Sequence, residues 1–292
     1  VTKSQGKTLW QIFAEDEMKQ LTTISYGGGV QSTAMLVLAA QGRLGYEIDA
    51  ALFANVGEKA EHPETLRYVR EIAAPFAQQH GIALHELHRR DREGNVKDLY
   101  EHLIEGTKEG KQSDIIPLRG EVGAPMSRGC TRDYKILVVG KWLKANGATA
   151  ENPANVCIGI STDEITRLSN KRQNNYERPV YPLIELGLSR NDCLGVIRDA
   201  GLEVPPKSAC YFCPFTRPNQ WAEMRRDQPE LFWKAAELEA LMNERRERTG
   251  VRPLYLSRFA KPLPEAIPEA QEMLPLLEMA GGDGCDSGHC WT

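Results

Sequence analysis

The chain contains no long apolar run. Nothing in its 292 residues approaches the roughly 20 consecutive apolar positions that cross a bilayer, so a membrane-spanning protein is not expected. The first residues show no short apolar core behind basic ones, which argues against a secretory signal and for the cytoplasm. There is no excess of positive charge either: 36 Lys and Arg against 40 Asp and Glu leave a net charge of −4. Such a balance excludes a general polyanion binder, and contact with DNA or RNA requires a local basic patch or a partner. No Gly-Lys-Ser/Thr follows the one glycine run, which excludes a Walker loop, and the glycine spacing is wrong for a dinucleotide fingerprint. No internal repeat is evident. Seven cysteines in a cytoplasmic chain do not make a disulfide framework.

What is present begins with Ile24-Ser-Tyr-Gly-Gly-Gly-Val-Gln-Ser-Thr33. The apolar run from Leu21 to Ile24 predicts a short buried strand, and Ser32 to Ala40 predicts a helix. A strand, a glycine turn and a helix N-terminus together form an anion site, because successive N–H groups and the helix dipole converge there. Side chains at Gly27, Gly28 and Gly29 are expected to block an oxyanion's approach to the backbone. Ser32 is placed to cap the helix or to donate to a phosphate. The competing reading is a tight turn without a ligand.

Strands are further expected at 50–54, 82–87 and 156–160, and helices at 62–73, 131–145 and 189–200. The polar stretch 91–125 reads as an insertion or a mobile loop. Strands alternating with helices predict an α/β fold: a doubly wound, mostly parallel sheet with its ligand beyond the carboxyl ends of the strands. After Pro205-Pro206 no strand is expected. Helices over 228–248 and 269–280 form a helical C-terminal appendage, followed by a glycine-rich tail, 281–292. The organisation read from this is a lead-in, 1–20, a nucleotide domain, 21–204, and a C-terminal region, 205–292.

Cys157 and Cys193 lie within apolar runs and read as packing residues. Cys210-Tyr-Phe-Cys213 has the spacing of a metal or cluster pair, and Cys130 opens a predicted helix among arginines, which favours thiolate. Three convergent thiolates suit an iron–sulfur cluster. Zinc with His289 or Cys290 as a fourth ligand, or no metal at all, remains open. Cys285 and Cys290 on the tail are candidate nucleophiles, or a disorderly end without a role. Basic residues gather at Arg128, Arg132 and Lys135 and at Arg167, Lys171 and Arg172, as solvated faces or as the walls of an anionic pocket.

Several of these motifs, in order, resemble the phosphoadenosine-phosphosulfate reductase family within the PP-loop adenine-nucleotide hydrolase superfamily. Gly28, Gly29 and Ser32 match its Ser-Gly-Gly-x-Asp-Ser loop, with Gly27 where the first Ser is usual and Gln31 where Asp is usual. Phe53-Ala-Asn-Val-Gly57 and His62-Pro-Glu-Thr65 resemble the segment Asp-Thr-Gly followed by Pro-Glu-Thr. Gly159-Ile-Ser-Thr-Asp-Glu164 with Arg167, and Tyr181-Pro-Leu183, resemble later family segments. The likeness spans roughly residues 21 to 217. It implies an adenine-nucleotide hydrolase-like fold, ATP and Mg²⁺ as cofactors, and a nucleotide site of Ser25, Gly27 to Gly29, Gln31, Ser32, Asn55 and Gly159.

Gly129-Cys130 stands where cluster-bearing members carry Cys-Cys, leaving Cys130, Cys210 and Cys213. This resembles the three-cysteine clusters of PP-loop thiolation enzymes. The resemblance extends to the ATP-pyrophosphatase subunits of bacterial DNA phosphorothioation systems. It implies ATP cleavage to AMP and pyrophosphate, with Ser32, Arg132 and Arg167 acting on the phosphates and Cys285 or Cys290 on sulfur. It also implies a cysteine desulfurase as sulfur donor, other DNA-modification subunits as partners, and a homodimer as the candidate assembly. A reductase releasing sulfite, a tRNA thiolation enzyme and a non-catalytic ATP-binding subunit are the alternatives.

Overall fold

The computed structural model describes residues 20–108, 115–168 and 174–269. Five strands, β1 (Thr22–Ser25), β2 (Ala50–Asn55), β3 (Ala83–His88), β4 (Ala154–Cys157) and β5 (Glu177–Val180), form one sheet in the order β3-β2-β1-β4-β5. Every pairing is parallel, with Ile24 opposite both Ala51 and Cys157. This is the doubly wound α/β sheet that the alternating pattern predicts. β5 is unforeseen: Glu-Arg-Pro-Val has little strand character, and its proline is tolerated because the strand lies at the sheet edge.

The period of two along β2 divides the core between the two faces. Ala51 and Phe53 join Ile24 and residues of helix α1 (Val30–Ala40) on one side. Ala50, Leu52 and Ala54 pack with Val139, Leu143 and Val156 on the other. A second helix, α2, runs over 63–79 and exceeds its predicted end. Its turn Val69–Ala73 is widened to π geometry immediately before Pro75. The proline therefore sits at a break in the ordinary hydrogen-bond ladder, where its missing N–H does not end the helix.

The expected loop over 91–125 is corrected by the structure. Helix α3 (Leu99–Lys108) lies within it, capped by Asp98, whose Oδ1 accepts the Tyr100 N–H at 2.7 Å. Leu99 and Leu103 are fully buried, as are Ile116 and Leu118 further along. The polar residues between these positions hide a one-sided apolar stripe in the sequence. Helix α4 runs over 129–145, again with a π-widened turn, Arg132–Ile136. The short helix α5 (Pro182–Glu185) precedes α6 (Arg190–Asp199), which packs on α1 and carries the expected capping box, with Ser189 Oγ accepting the Asp192 N–H at 3.2 Å.

No strand follows β5 among the described residues. The C-terminal region adds α7 (Pro218–Asp227), α8 (Pro229–Arg248) and α9 (Leu263–Ala266). They share a third apolar core with α3, Tyr134 and the cysteine segment's Tyr211 and Phe212. The helix expected at 269–280 and the tail lie outside the described residues, apart from Glu269. No helix among the described residues is long and apolar enough to cross a membrane.

Candidate nucleotide and thiol site

The chain runs from β1 outward to β2 and β3, then returns to add β4 and β5 on the other side of β1. The cleft beyond the carboxyl ends of β1 and β4 is therefore the topological switch point, where such sheets bind ligands. Two glycine segments meet there. Gly159, after β4, packs on the first turn of α1: a Cβ on it would lie 3.1 Å from Gln31 Cβ and 3.2 Å from the Ser32 nitrogen. Gly27 to Gly29 follow β1, with Gly29 as the N-cap of α1.

The three glycines differ in purpose. Gly28 has φ +76°, and a Cβ there would meet Thr65 Cγ2 at 3.0 Å and Val69 Cγ2 at 3.2 Å. Its missing side chain thus serves contact with α2, a steric reason for glycine that the sequence did not show. Gly27 and Gly29 have no such steric obstacle; their Cβ positions lie 4.0 Å from Ser32 Oγ and 3.8 Å from Ser208 Cβ. Ser32 Oγ accepts the Gly29 N–H at 3.2 Å and donates to the Gly29 carbonyl at 3.0 Å.

Around this turn lie buried polar atoms without a hydrogen-bond partner among the described residues: Ser25 Oγ, Gln31 Nε2 and Thr65 Oγ1. Unmet donors in a closed interior are costly unless a ligand or water meets them, and here they surround one glycine turn. Gln31 Oε1 accepts from Arg190 Nη1 at 3.1 Å, so an amide and a guanidinium stand where the resembled loop has a carboxylate. Arg190 is a site residue that the sequence reading missed; its only signal was its place after the Ser189 cap. Arg167 is largely buried and ion-paired with Glu164 at 2.7 Å, on the segment following Gly159. Asn55 is held by protein partners: it donates to Glu86 at 2.7 Å and Glu58 at 3.0 Å and accepts the Gly57 N–H at 2.8 Å.

The cysteine segment lies directly against the glycine turn. Ser208 Oγ donates to the Gly27 carbonyl. Two residues on, Cys210 forms an antiparallel bridge with Glu61, just before α2. Cys213 closes a turn on Cys210, its N–H donating to that carbonyl at 3.0 Å. Cys130, in the first turn of α4, and Cys210 pack against the same apolar core. Burial pushes the Cys210 thiol well above its ordinary value, with Glu61, Cys213 and Cys130 acting in the same direction and Lys135 opposing. The three predicted thiols are thus brought into one electrostatic neighbourhood. None of Cys130, Cys210 and Cys213 is in a disulfide.

Glu61 is the unforeseen member. It is 1% exposed, its oxygens have no side-chain hydrogen-bond partner among the described residues, and burial raises its carboxyl against the pull of Lys135 and the His62 backbone N–H. Of the predicted basic cluster, Lys135 therefore faces the thiols, whereas Arg132 is exposed and pairs with Asp133 at 2.7 Å. Arg128 stacks on Phe215 with 5.4 Å to the ring centroid. His62 caps α2 and shares a 2.8 Å hydrogen bond through Nε2 with Gln228 Oε1; burial lowers its pKa. A cavity of about 280 Å³ opens beside Cys210, between the cysteine segment and α7, with His62, Lys207, Gln220 and Gln228 on its walls. Among the described residues, no three His, Cys, Asp or Glu side chains are drawn closely enough round one point to hold a single metal ion.

Cys157 and Cys193 are buried as expected, and burial pushes each thiol up to about 12. Cys285, His289 and Cys290, with Lys171 and Arg172, lie outside the described residues.

No protein-family model matches the sequence, and no curated protein matches it. Among solved structures, the chain is similar to phosphoadenylyl-sulfate (PAPS) reductase from Candida auris in its phosphate complex. The identity is 13% over 66% of this chain and 79% of that one, with a TM-score of 0.42. It is also similar to the U34-tRNA thiolase NcsA from Methanococcus maripaludis with its 4Fe-4S cluster, at 13% identity over 77% of this chain and 72% of that one and a TM-score of 0.40. At these values the likeness is one of general fold.

Proposed function

We propose that this chain cleaves ATP to AMP and pyrophosphate and couples that cleavage to sulfur transfer. One observation carries the reading: the segment bearing Cys210 and Cys213 rests on the glycine turn through the Ser208–Gly27 hydrogen bond. An oxyanion cradle and a thiol pocket thereby share a wall, as a reaction joining phosphate and sulfur chemistry requires. The backbone of Gly27 and Gly29, with Ser25, Gln31, Ser32 and Thr65, holds the phosphates, and Arg190 and Arg167 supply positive charge to the departing group. Mg²⁺ enters bound to the phosphates, because Gln31 offers it no carboxylate.

The donor set of the thiol pocket fits an iron–sulfur cluster better than one zinc ion. Thiols on two separate segments suit a group whose ligands sit on different irons. The Cys210 thiol, raised by burial, makes a poor nucleophile but a good ligand once a cation displaces its proton. When bound, the cluster would supply a site for sulfide, released when a thiol reductant reduces the persulfide of a cysteine desulfurase and is itself oxidised to a disulfide. The acceptor we favour is the DNA backbone, in a phosphorothioation system. The net charge of −4 calls for partner subunits to present the nucleic acid.

The test is anaerobic turnover with ATP and, separately, with phosphoadenosine phosphosulfate and a thiol reductant, quantifying AMP, pyrophosphate and sulfite. AMP and pyrophosphate from ATP, reduced at least tenfold in Ser32→Ala, is the expected result. Sulfite from the phosphosulfate without AMP from ATP makes the chain a reductase and overturns the proposal.

A further inference from the structure

Glu61 is the buried group that neither the phosphate cradle nor the packing explains. It lies in the turn between β2 and α2, where its N–H donates to the Gly57 carbonyl at 2.9 Å. Its carboxylate is 1% exposed and has no side-chain hydrogen-bond partner among the described residues; only the His62 backbone N–H and the charge of Lys135 act on it. Buried carboxylates are normally paired, hydrogen-bonded or bound to a metal. Glu61 is bridged to Cys210 in antiparallel fashion, and directly opposed residues in such a pair project to the same face. The carboxylate therefore stands beside the thiol.

We propose that Glu61 is the oxygen ligand that completes an iron–sulfur cluster held by Cys130, Cys210 and Cys213. This rests on the reading of the thiol pocket given above, but not on ATP cleavage. Three thiolates leave one corner of a four-iron cluster without a protein ligand. Glu61 supplies a donor on the Cys210 side of the pocket, close enough to share its electrostatic environment. An oxygen donor also binds iron less firmly than thiolate does. Glu61 would therefore hold the fourth iron at rest and yield it to an incoming sulfide, a role that a fourth cysteine would fill poorly.

The test is spectroscopic. The full chain is reconstituted anaerobically with iron and sulfide, as wild type, Glu61→Gln, Glu61→Cys and Cys210→Ala. Iron and acid-labile sulfide are counted, and EPR and Mössbauer spectra are recorded. The expected result is cluster in the wild type with one iron subsite distinct from the rest. Glu61→Gln should keep the sulfide but alter that subsite and hasten its loss on mild oxidation at least severalfold. Glu61→Cys should make the subsite resemble the others, and Cys210→Ala should lose most of the cluster. Should Glu61→Gln fail to fold, the Glu61→Cys spectrum decides the question. Superimposable wild-type and Glu61 variant spectra, or a wild type that takes up zinc and no iron, overturns the proposal. AMP formation is not read in this experiment, so the ATP reading stands or falls separately.

Discussion

Gly28 and Gly27 are adjacent glycines with different duties, and substitution separates them. Alanine at 28 must adopt φ +76° and press its methyl on Thr65 and Val69. Gly28→Ala should lose about 1–3 kcal/mol of folding stability, the range for a residue forced into a rare backbone region, as measured by urea denaturation. Alanine at 27 meets only Ser32 Oγ at 4.0 Å and carries no positive φ. Gly27→Ala should therefore fold near normally yet bind ATP at least tenfold more weakly by calorimetry. Equal stability loss in both variants would mean that the turn is only structural. The sequence already located this turn, because three consecutive glycines between a strand and a helix have few other uses. It did not reveal which glycine faces α2, since that depends on a helix more than thirty residues later in the chain. Glu61 was illegible for the same reason: one acidic residue in a polar turn has no sequence signature, and only its bridge to Cys210 gives it meaning.

At the scale of elements, α3 and α8 carry the clearest consequences. Leu103 is fully exposed to the third core and fully hidden from solvent. Leu103→Ala should cost about 2–5 kcal/mol by the usual large-to-small penalty, whereas a mobile surface loop would be indifferent to it. Thermal and urea unfolding distinguish the two. The sequence concealed α3 because Lys, Glu and Gly dominate its neighbourhood, and the stripe of Leu99, Tyr100, Leu103 and Ile104 spans too few turns to establish a period. By contrast α6 and α8 were legible, one through its Ser189–Asp192 cap and the other through twenty residues without a breaker.

Glu239, on α8, makes a further prediction. Its carboxylate accepts the N–H groups of Leu256 and Leu263, both at 2.6 Å, and so ties the strap after α8 to that helix. Burial nevertheless pushes its pKa up to about 7 from an ordinary 4.5. The folded state thus holds this proton to higher pH than the unfolded state. Stability from this group is full below the ordinary value and falls as pH rises through about 7. The loss should be about 3 kcal/mol at most, by the energy of such a shift. Glu239→Gln should flatten stability between pH 5 and 8, measured as urea midpoints at roughly those two values. It should also lower stability at the acid end, since one N–H then faces an amide donor. A wild-type midpoint that rises across the same window would contradict the assignment.

Over the whole molecule, the sheet order does most to define function. Adding β4 and β5 beside β1 rather than beyond β3 opens the switch point at which Gly27 to Gly29, Gly159 and Arg190 meet. The C-terminal helices then fold back so that the cysteine segment is pinned between that point and Glu61. The parallel sheet was readable from alternating patterns, whereas the spacing of the three cysteines nominated them without showing where they lie relative to one another. The joining of the two sites was not readable, because it depends on Ser208, an ordinary serine whose partner is a backbone carbonyl 181 residues away. That joining is the central claim. It is tested most directly by alkylating the metal-free protein anaerobically, with and without a non-hydrolysable ATP analogue, and following each cysteine by mass spectrometry. Binding of the analogue should slow labelling of Cys210 and Cys213 several-fold and leave Cys157 and Cys193 unchanged, and Ser208→Ala should weaken that protection. An analogue that binds by calorimetry yet leaves every thiol's rate unaltered would contradict a shared site.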